Sequence, residues 1–206
     1  MTPSATATEP DSSTTTPGHG RGVGEPPVAV DPRRWGSVIG LVGSMVFIAS
    51  YSPALGPVAS TAAWLIGLAL FAAALSAHYV RPVSLGSFSP PRPAALAIYG
   101  ACVVAELALI NIGSRALAAA DLVDLRPALV ATVVGLHFIP FAWAFSERMF
   151  YWLGGSVATL GAIGLAAGFM GVSNAAEAAA VAAGVSMQVI VLMYARGRFA
   201  PRAHQA

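Results

Sequence analysis

The sequence predicts an all-α fold, a six-helix transmembrane bundle with a disordered N-terminal tail. Composition is the first observation: hydrophobic residues make up 56% of the 206 residues and charged residues only 10%. The mean hydropathy of +0.71 is more than a water-soluble domain of this length needs. The second is that six apolar stretches follow residue 35, each about long enough to cross a hydrocarbon core about 30 Å thick. The third is that almost every arginine lies between them. Open strands would leave backbone N–H and C=O groups unpaired in lipid, and nothing alternates with the two-residue period of a barrel, so the spans are read as helices.

Residues 1–32 are rich in Thr, Ser, Pro and Gly and nearly lack large apolar side chains. Such a segment buries too little surface to offset its ordering entropy and is read as a disordered cytoplasmic tail. Residues 33–199 form the membrane domain, and residues 200–206 a short cytoplasmic tail. Arg33-Arg34 ahead of an apolar run resembles a twin-arginine signal. Pro32, Trp35 and Gly36 fit that pattern poorly and no small-residue cleavage site follows, so the run is read as a retained first span.

The expected spans are residues 36–53, 58–79, 94–114, 127–146, 151–172 and 175–195. Turn signals separate them: Pro53 and Pro57, then Pro82, Pro90, Pro91 and Pro93, then Pro127. All eleven basic residues are arginine. With the N-terminus inside, Arg21, Arg33, Arg34, Arg81, Arg92, Arg148, Arg196, Arg198 and Arg202 are cytoplasmic, against Arg115 and Arg126 outside. This asymmetry orients both termini to the cytoplasm. The arginine, alanine and glycine bias suits a bacterial inner-membrane protein. Cys102, the only cysteine, excludes an intramolecular disulfide and a paired-thiol site and is read as a packing residue.

Small residues four apart allow close helix approach. Gly36 and Gly40, Gly164 and Gly168, and the series Ala176, Ala180, Gly184 nominate the first, fifth and sixth helices for tight contacts. The helix count permits a three-plus-three inverted repeat, but the two halves lack convincing similarity.

Polar groups at membrane depth are costly and face a bundle interior or a cavity, so they are the functional candidates. Glu106 lies nine residues before Arg115, His137 eleven after Arg126, and Gln188 eleven after Glu177. At 1.5 Å per residue all three sit about 13–17 Å below the outer surface. The third and fourth helices are consecutive and antiparallel, which favours a Glu106–His137 contact. Burial disfavours both charged forms while mutual contact favours the ion pair, so the pair can hold a proton in either of two places. Pro140 has no N–H for the Leu136 carbonyl, and its ring is expected to bend the helix beside the histidine. The competing reading makes His137 a satisfied interhelical hydrogen-bonding group.

Tyr99, Cys102, Glu106 and Gly113 follow three- and four-residue steps and should face one neighbour, whereas Asn111 points elsewhere. On the sixth helix Glu177, Val181, Gly184 and Gln188 form a similar stripe and offer Gln188 as a third partner. The outer connection from Arg115 to Arg126, with Asp121 and Asp124 among leucines, is read as a short interfacial helix with solvated or arginine-paired carboxylates. Two aspartates are too few oxygen ligands for a divalent cation.

Gly135-Leu136-His137-Phe138-Ile139-Pro140-Phe141-Ala142 resembles a motif of small multi-pass bacterial membrane proteins of uncharacterised function. In that family Gly-Leu-His-Phe, an aliphatic residue and Pro recur in a central helix. The resemblance spans about the third to fifth helices and implies that His137 and Pro140 belong together.

Enzyme signatures are absent: no His-Glu-x-x-His, glycine-rich phosphate loop or Gly-x-Ser-x-Gly is present. The sequence predicts no catalytic residue, metal, cofactor or nucleic-acid partner. Its expected partners are the bilayer, a second copy or other membrane helices. Two readings remain: a proton- or ion-coupled transporter using Glu106 and His137, or a non-catalytic subunit or scaffold whose polar residues only fix packing.

Overall fold

Proline and a capping aspartate set where the first helices begin. In the computed structural model, which describes residues 25–85 and 90–199, four helices carry proline in their first two positions: α1 (Pro32–Tyr51), α2 (Pro57–Leu75), α3 (Pro93–Ala119) and α4 (Arg126–Ala144). There proline forfeits no intrahelical hydrogen bond and its φ is already helical. Asp31 caps α1 by accepting the Arg33 backbone N–H at 3.0 Å. α5 (Met149–Phe169) and α6 (Ala175–Ala195) complete the set.

α2 continues into one wide π turn, Ser76–Val80, closed by the Arg81 N–H on the Ser76 carbonyl at 3.0 Å. α3, α5 and α6 end alike, on a left-handed residue: Asp121, Gly171 or Gly197. The following N–H then reaches back, Leu122 to Leu117, Val172 to Ala167 and Arg198 to Met193, which satisfies carbonyls the helix end leaves open.

All six helices are long and apolar enough to cross a membrane, and no strand occurs among the described residues. The chain is a helical, multi-pass membrane protein. Of the segment expected as a tail, residues 1–24 lie outside the described residues, as do 200–206. Residues 25–31 are tied down at two points: Glu25, which accepts the Leu85 N–H and the Ser84 hydroxyl, each at 2.8 Å, and the buried Asp31.

α3 departs most from its expected length, running to Ala119 instead of residue 114. Ala116, Leu117, Ala118 and Ala119 are strong helix formers, so the helix continues past Arg115. The expected interfacial helix is correspondingly reduced to a turn and the 3-10 segment Val123–Leu125.

α6 is the hub. It packs on α1, α2, α4 and α5, whereas α3 packs on α4 and the 3-10 segment beside it. Of the most apolar stretch of each helix, 67% is buried in α6 and 6% in α3. The main core joins Phe47, Ala131, Leu153, Val157, Ala183 and Met187.

Lipid supplies no hydrophobic drive between helices, so close packing relies on small residues. The tightest crossing is α4 on α5. A Cβ on Gly135 would lie 2.6 Å from the Ala158 Cα, one on Gly154 would lie 2.7 Å from the Gly135 carbonyl oxygen, and one on Gly161 would lie 2.8 Å from that of Ala128. Gly164 meets Ala128 and Ala179, and Gly184 lies against the Ser44 carbonyl, as the spacing suggested for the fifth and sixth helices. Gly36 has nothing within 4 Å and Gly40 only Val191 at 4.0 Å, so that pair marks no tight contact.

Candidate functional site

Three- and four-residue steps bring one stripe of α3 onto α4, as the sequence predicts. Tyr99 stacks on Phe141 at 5.2 Å between ring centroids, a Cβ on Gly113 would meet Leu129, and Glu106 meets His137. The His137 Nδ1 and a Glu106 carboxylate oxygen are hydrogen-bonded. The side chains remain 13% and 16% exposed, respectively.

Either atom of this contact can carry the proton. On nitrogen it gives an N–H donating to a carboxylate; on oxygen it gives a carboxylic acid donating to the imidazole. Nε2 has no hydrogen-bond partner among the described residues. Phe138 and Phe141 each place a ring centroid 4.7 Å from the imidazole. Phe145 and Phe150 extend the aromatic cluster behind them. The Phe138 and Phe141 rings pack against the imidazole, whose Nδ1 edge meets Glu106.

Pro140 lies one turn beyond Leu136 inside α4, which continues as α-helix to Ala144. The Leu136 carbonyl loses its usual donor there, and Leu136 is half exposed. Gln188 is fully buried but serves a different seam. Its amide nitrogen lies 3.1 Å from the Met45 sulfur, and its oxygen, without a hydrogen-bond partner, lies 3.8 Å from the place a Gly67 Cβ would occupy. It therefore belongs to the contact of α6 with α1 and α2, not to the Glu106–His137 pair.

A second polar cluster, which the sequence reading did not single out, closes one end of the bundle. Asp31 is fully buried and pairs twice with Arg33, at 3.1 Å through each of its carboxylate oxygens. Arg34, 2% exposed, donates to the His78 carbonyl at 2.7 Å and the Val83 carbonyl at 2.8 Å. Arg33 donates to the Leu85 carbonyl at 3.0 Å. These bonds fasten the α2–α3 connection to the start of α1.

The π turn sends the fully buried His78 inward, with its ring 6.4 Å from Tyr194. The Tyr194 hydroxyl donates to Glu147 at 3.3 Å. The start of α1 thus meets the ends of α2, α4 and α6, and successive helices run in alternate directions. The signal available in the sequence was Asp31-Pro32, a cap followed by a first-turn proline.

Burial pushes the Glu147 carboxyl above its ordinary range, against the opposing pull of Arg33 and the Tyr194 hydrogen bond. A carboxyl raised on folding contributes stability that is fully present below its unfolded value, near 4.5, and is lost as pH rises through the folded value. Raising the pH from 4 to 8 is therefore expected to lower the melting temperature of the natural protein more than that of Glu147→Gln. Parallel melting curves across that range would show that Glu147 carries no such linkage. Glu25 shifts the other way: slight burial would raise it, but the Leu85 and Ser84 hydrogen bonds and the nearby arginines hold it below the usual carboxylate range.

Among the described residues, no group of three or more His, Cys, Asp or Glu is placed to hold a metal ion. Comparison with protein-family models, curated proteins and solved structures finds no match.

Proposed function

We propose that this is a small proton- or ion-coupled transporter of a bacterial inner membrane, in which Glu106 and His137 hold and release the coupling proton. The observation that carries the reading is the carboxylate–imidazole hydrogen bond between α3 and α4, in the middle of two candidate spans and incompletely buried. Ionisable side chains are costly at this depth and commonly mark a proton or ion path when they occur in a span. Pro140 supports the reading by releasing a carbonyl one residue from the histidine.

Orientation follows from the arginines. The end that gathers the start of α1 and the ends of α2, α4 and α6 carries all the described arginines except Arg115 and Arg126, so we assign it to the cytoplasm together with both termini. We further propose, from the resemblance of its Gly-Leu-His-Phe-x-Pro sequence, that the chain belongs to the uncharacterised bacterial family described above.

A second reading, a non-catalytic subunit or scaffold, is favoured by the sparse burial of α3, a face suited to a partner helix or a second copy. Proteoliposomes with a trapped pH dye separate the two. A lost hydrogen bond to a charged group is worth about 1.5–3 kcal/mol, or about tenfold or more in rate. His137→Ala and Glu106→Gln should each slow gradient-driven proton flux by at least that factor. Flux unchanged in both variants overturns transport through this pair, and lower thermal stability or partner recovery without a flux defect supports the scaffold.

A further inference from the structure

We propose that the groove between the last turns of α3 and the first residue of α4 binds one anionic phospholipid, its phosphate held by Arg115 and Arg126 and an acyl chain lying along Leu107 and Ile110. The groove is open along its length, offers about 490 Å³, and is lined by these four residues with Asn111, Ser114 and Ala118.

The six α3 residues recur at three- to four-residue steps and form one stripe. From Leu107 to Ala118 the stripe spans eleven residues, or about 16 Å, close to one leaflet of a core about 30 Å thick. Polarity changes along it in the order a lipid requires: apolar at Leu107 and Ile110, amide and hydroxyl at Asn111 and Ser114, cationic at Arg115.

Two features call for an anion, and a third calls for a polar partner. Asp121 and Asp124 lie in the same connection, yet neither arginine has a carboxylate within ion-pair distance; the described ion pairs are all elsewhere. Arg126 opens α4, where the positive end of the helix adds to the guanidinium, although Asp124 lies in the 3-10 turn just before it. Asn111 is exposed on a membrane helix, where an amide without a polar partner is costly. A phosphodiester with its glycerol esters answers all three, and the planar guanidinium fork suits phosphate oxygens.

The inference is independent of the proton reading, because none of its residues belongs to the Glu106–His137 pair. Its test is lipid retention by the purified full-length protein in uncharged detergent, counted by native mass spectrometry. The lipids are phosphatidylglycerol, phosphatidylcholine and diacylglycerol, with inorganic phosphate as competitor. Phosphatidylglycerol should bind at one site about tenfold tighter than either other lipid, and the combined Arg115→Gln and Arg126→Gln substitutions should abolish that preference.

Equal retention of the three lipids, or an unchanged preference in the double variant, overturns the proposal. Displacement by an equal concentration of inorganic phosphate overturns the lipid in favour of a free anion. Should the double variant fail to fold, Asn111→Leu replaces it and should weaken phosphatidylglycerol retention severalfold; the lipid ranking of the natural protein decides in either case.

Discussion

Gly135→Ala is expected to destabilise the protein by about 3 kcal/mol or to prevent its folding, at the upper end of what overpacking usually costs. The added methyl would lie 2.6 Å from the Ala158 Cα and overlap the Ala158 amide nitrogen. Both atoms are backbone, so no rotamer change relieves the overlap and α4 must move off α5. That movement would also disturb the reciprocal contacts, in which Gly154 faces the Gly135 carbonyl and Gly161 that of Ala128.

Gly155→Ala is the matched control. It lies on α5 beside Gly154, but its added methyl meets nothing within 4 Å, and its effect should stay within about 0.5 kcal/mol. Unfolding in mixed dodecyl maltoside and SDS, followed by circular dichroism, compares the two variants. Equal midpoints would mean that α4 and α5 do not cross as closely as described.

What the sequence revealed, and what it withheld, divides along physical lines. Span number and approximate limits were legible because lipid demands long apolar helices, and that demand is written locally. The Glu106–His137 contact was legible for a related reason: consecutive helices are neighbours, and Tyr99, Glu106 and Gly113 share a stripe that turns together toward α4. Gln188 shows the limit of depth arguments, since rise per residue fixes height but not direction, and its stripe turns toward Met45 and Gly67. Gly36 and Gly40 show the same limit for small-residue spacing, which permits close approach without choosing which face is covered.

The buried charges at the arginine-rich end were the least legible. Asp31, Arg33 and Arg34 look like ordinary flanking charges until residues 81–85 fold over them. No periodic pattern in that connection announces the carbonyls of Val83 and Leu85 as acceptors. The wide turn that buries His78 is equally silent in the sequence.

Those charges give the second large expected effect. Asp31→Asn should cost about 3–5 kcal/mol, because removing one partner of a buried ion pair leaves the other uncompensated. Asparagine still caps α1, so the loss reports charge and not the helix start. Arg33 and Arg34 would then face each other without the carboxylate between them, while still tied to the carbonyls of His78, Val83 and Leu85.

Salt separates this outcome from that of a surface contact. An exposed pair contributes about 0–1 kcal/mol and weakens as the Debye length falls from about 10 Å at 0.1 M to about 3 Å at 1 M. With Asp31 fully buried and Arg34 2% exposed, the Asp31→Asn loss should persist at 1 M salt. A loss below about 1 kcal/mol, or one that disappears in high salt, would make the cluster a solvated rim. A salt-resistant loss of several kcal/mol would make it the clasp that holds α1 to the α2–α3 connection.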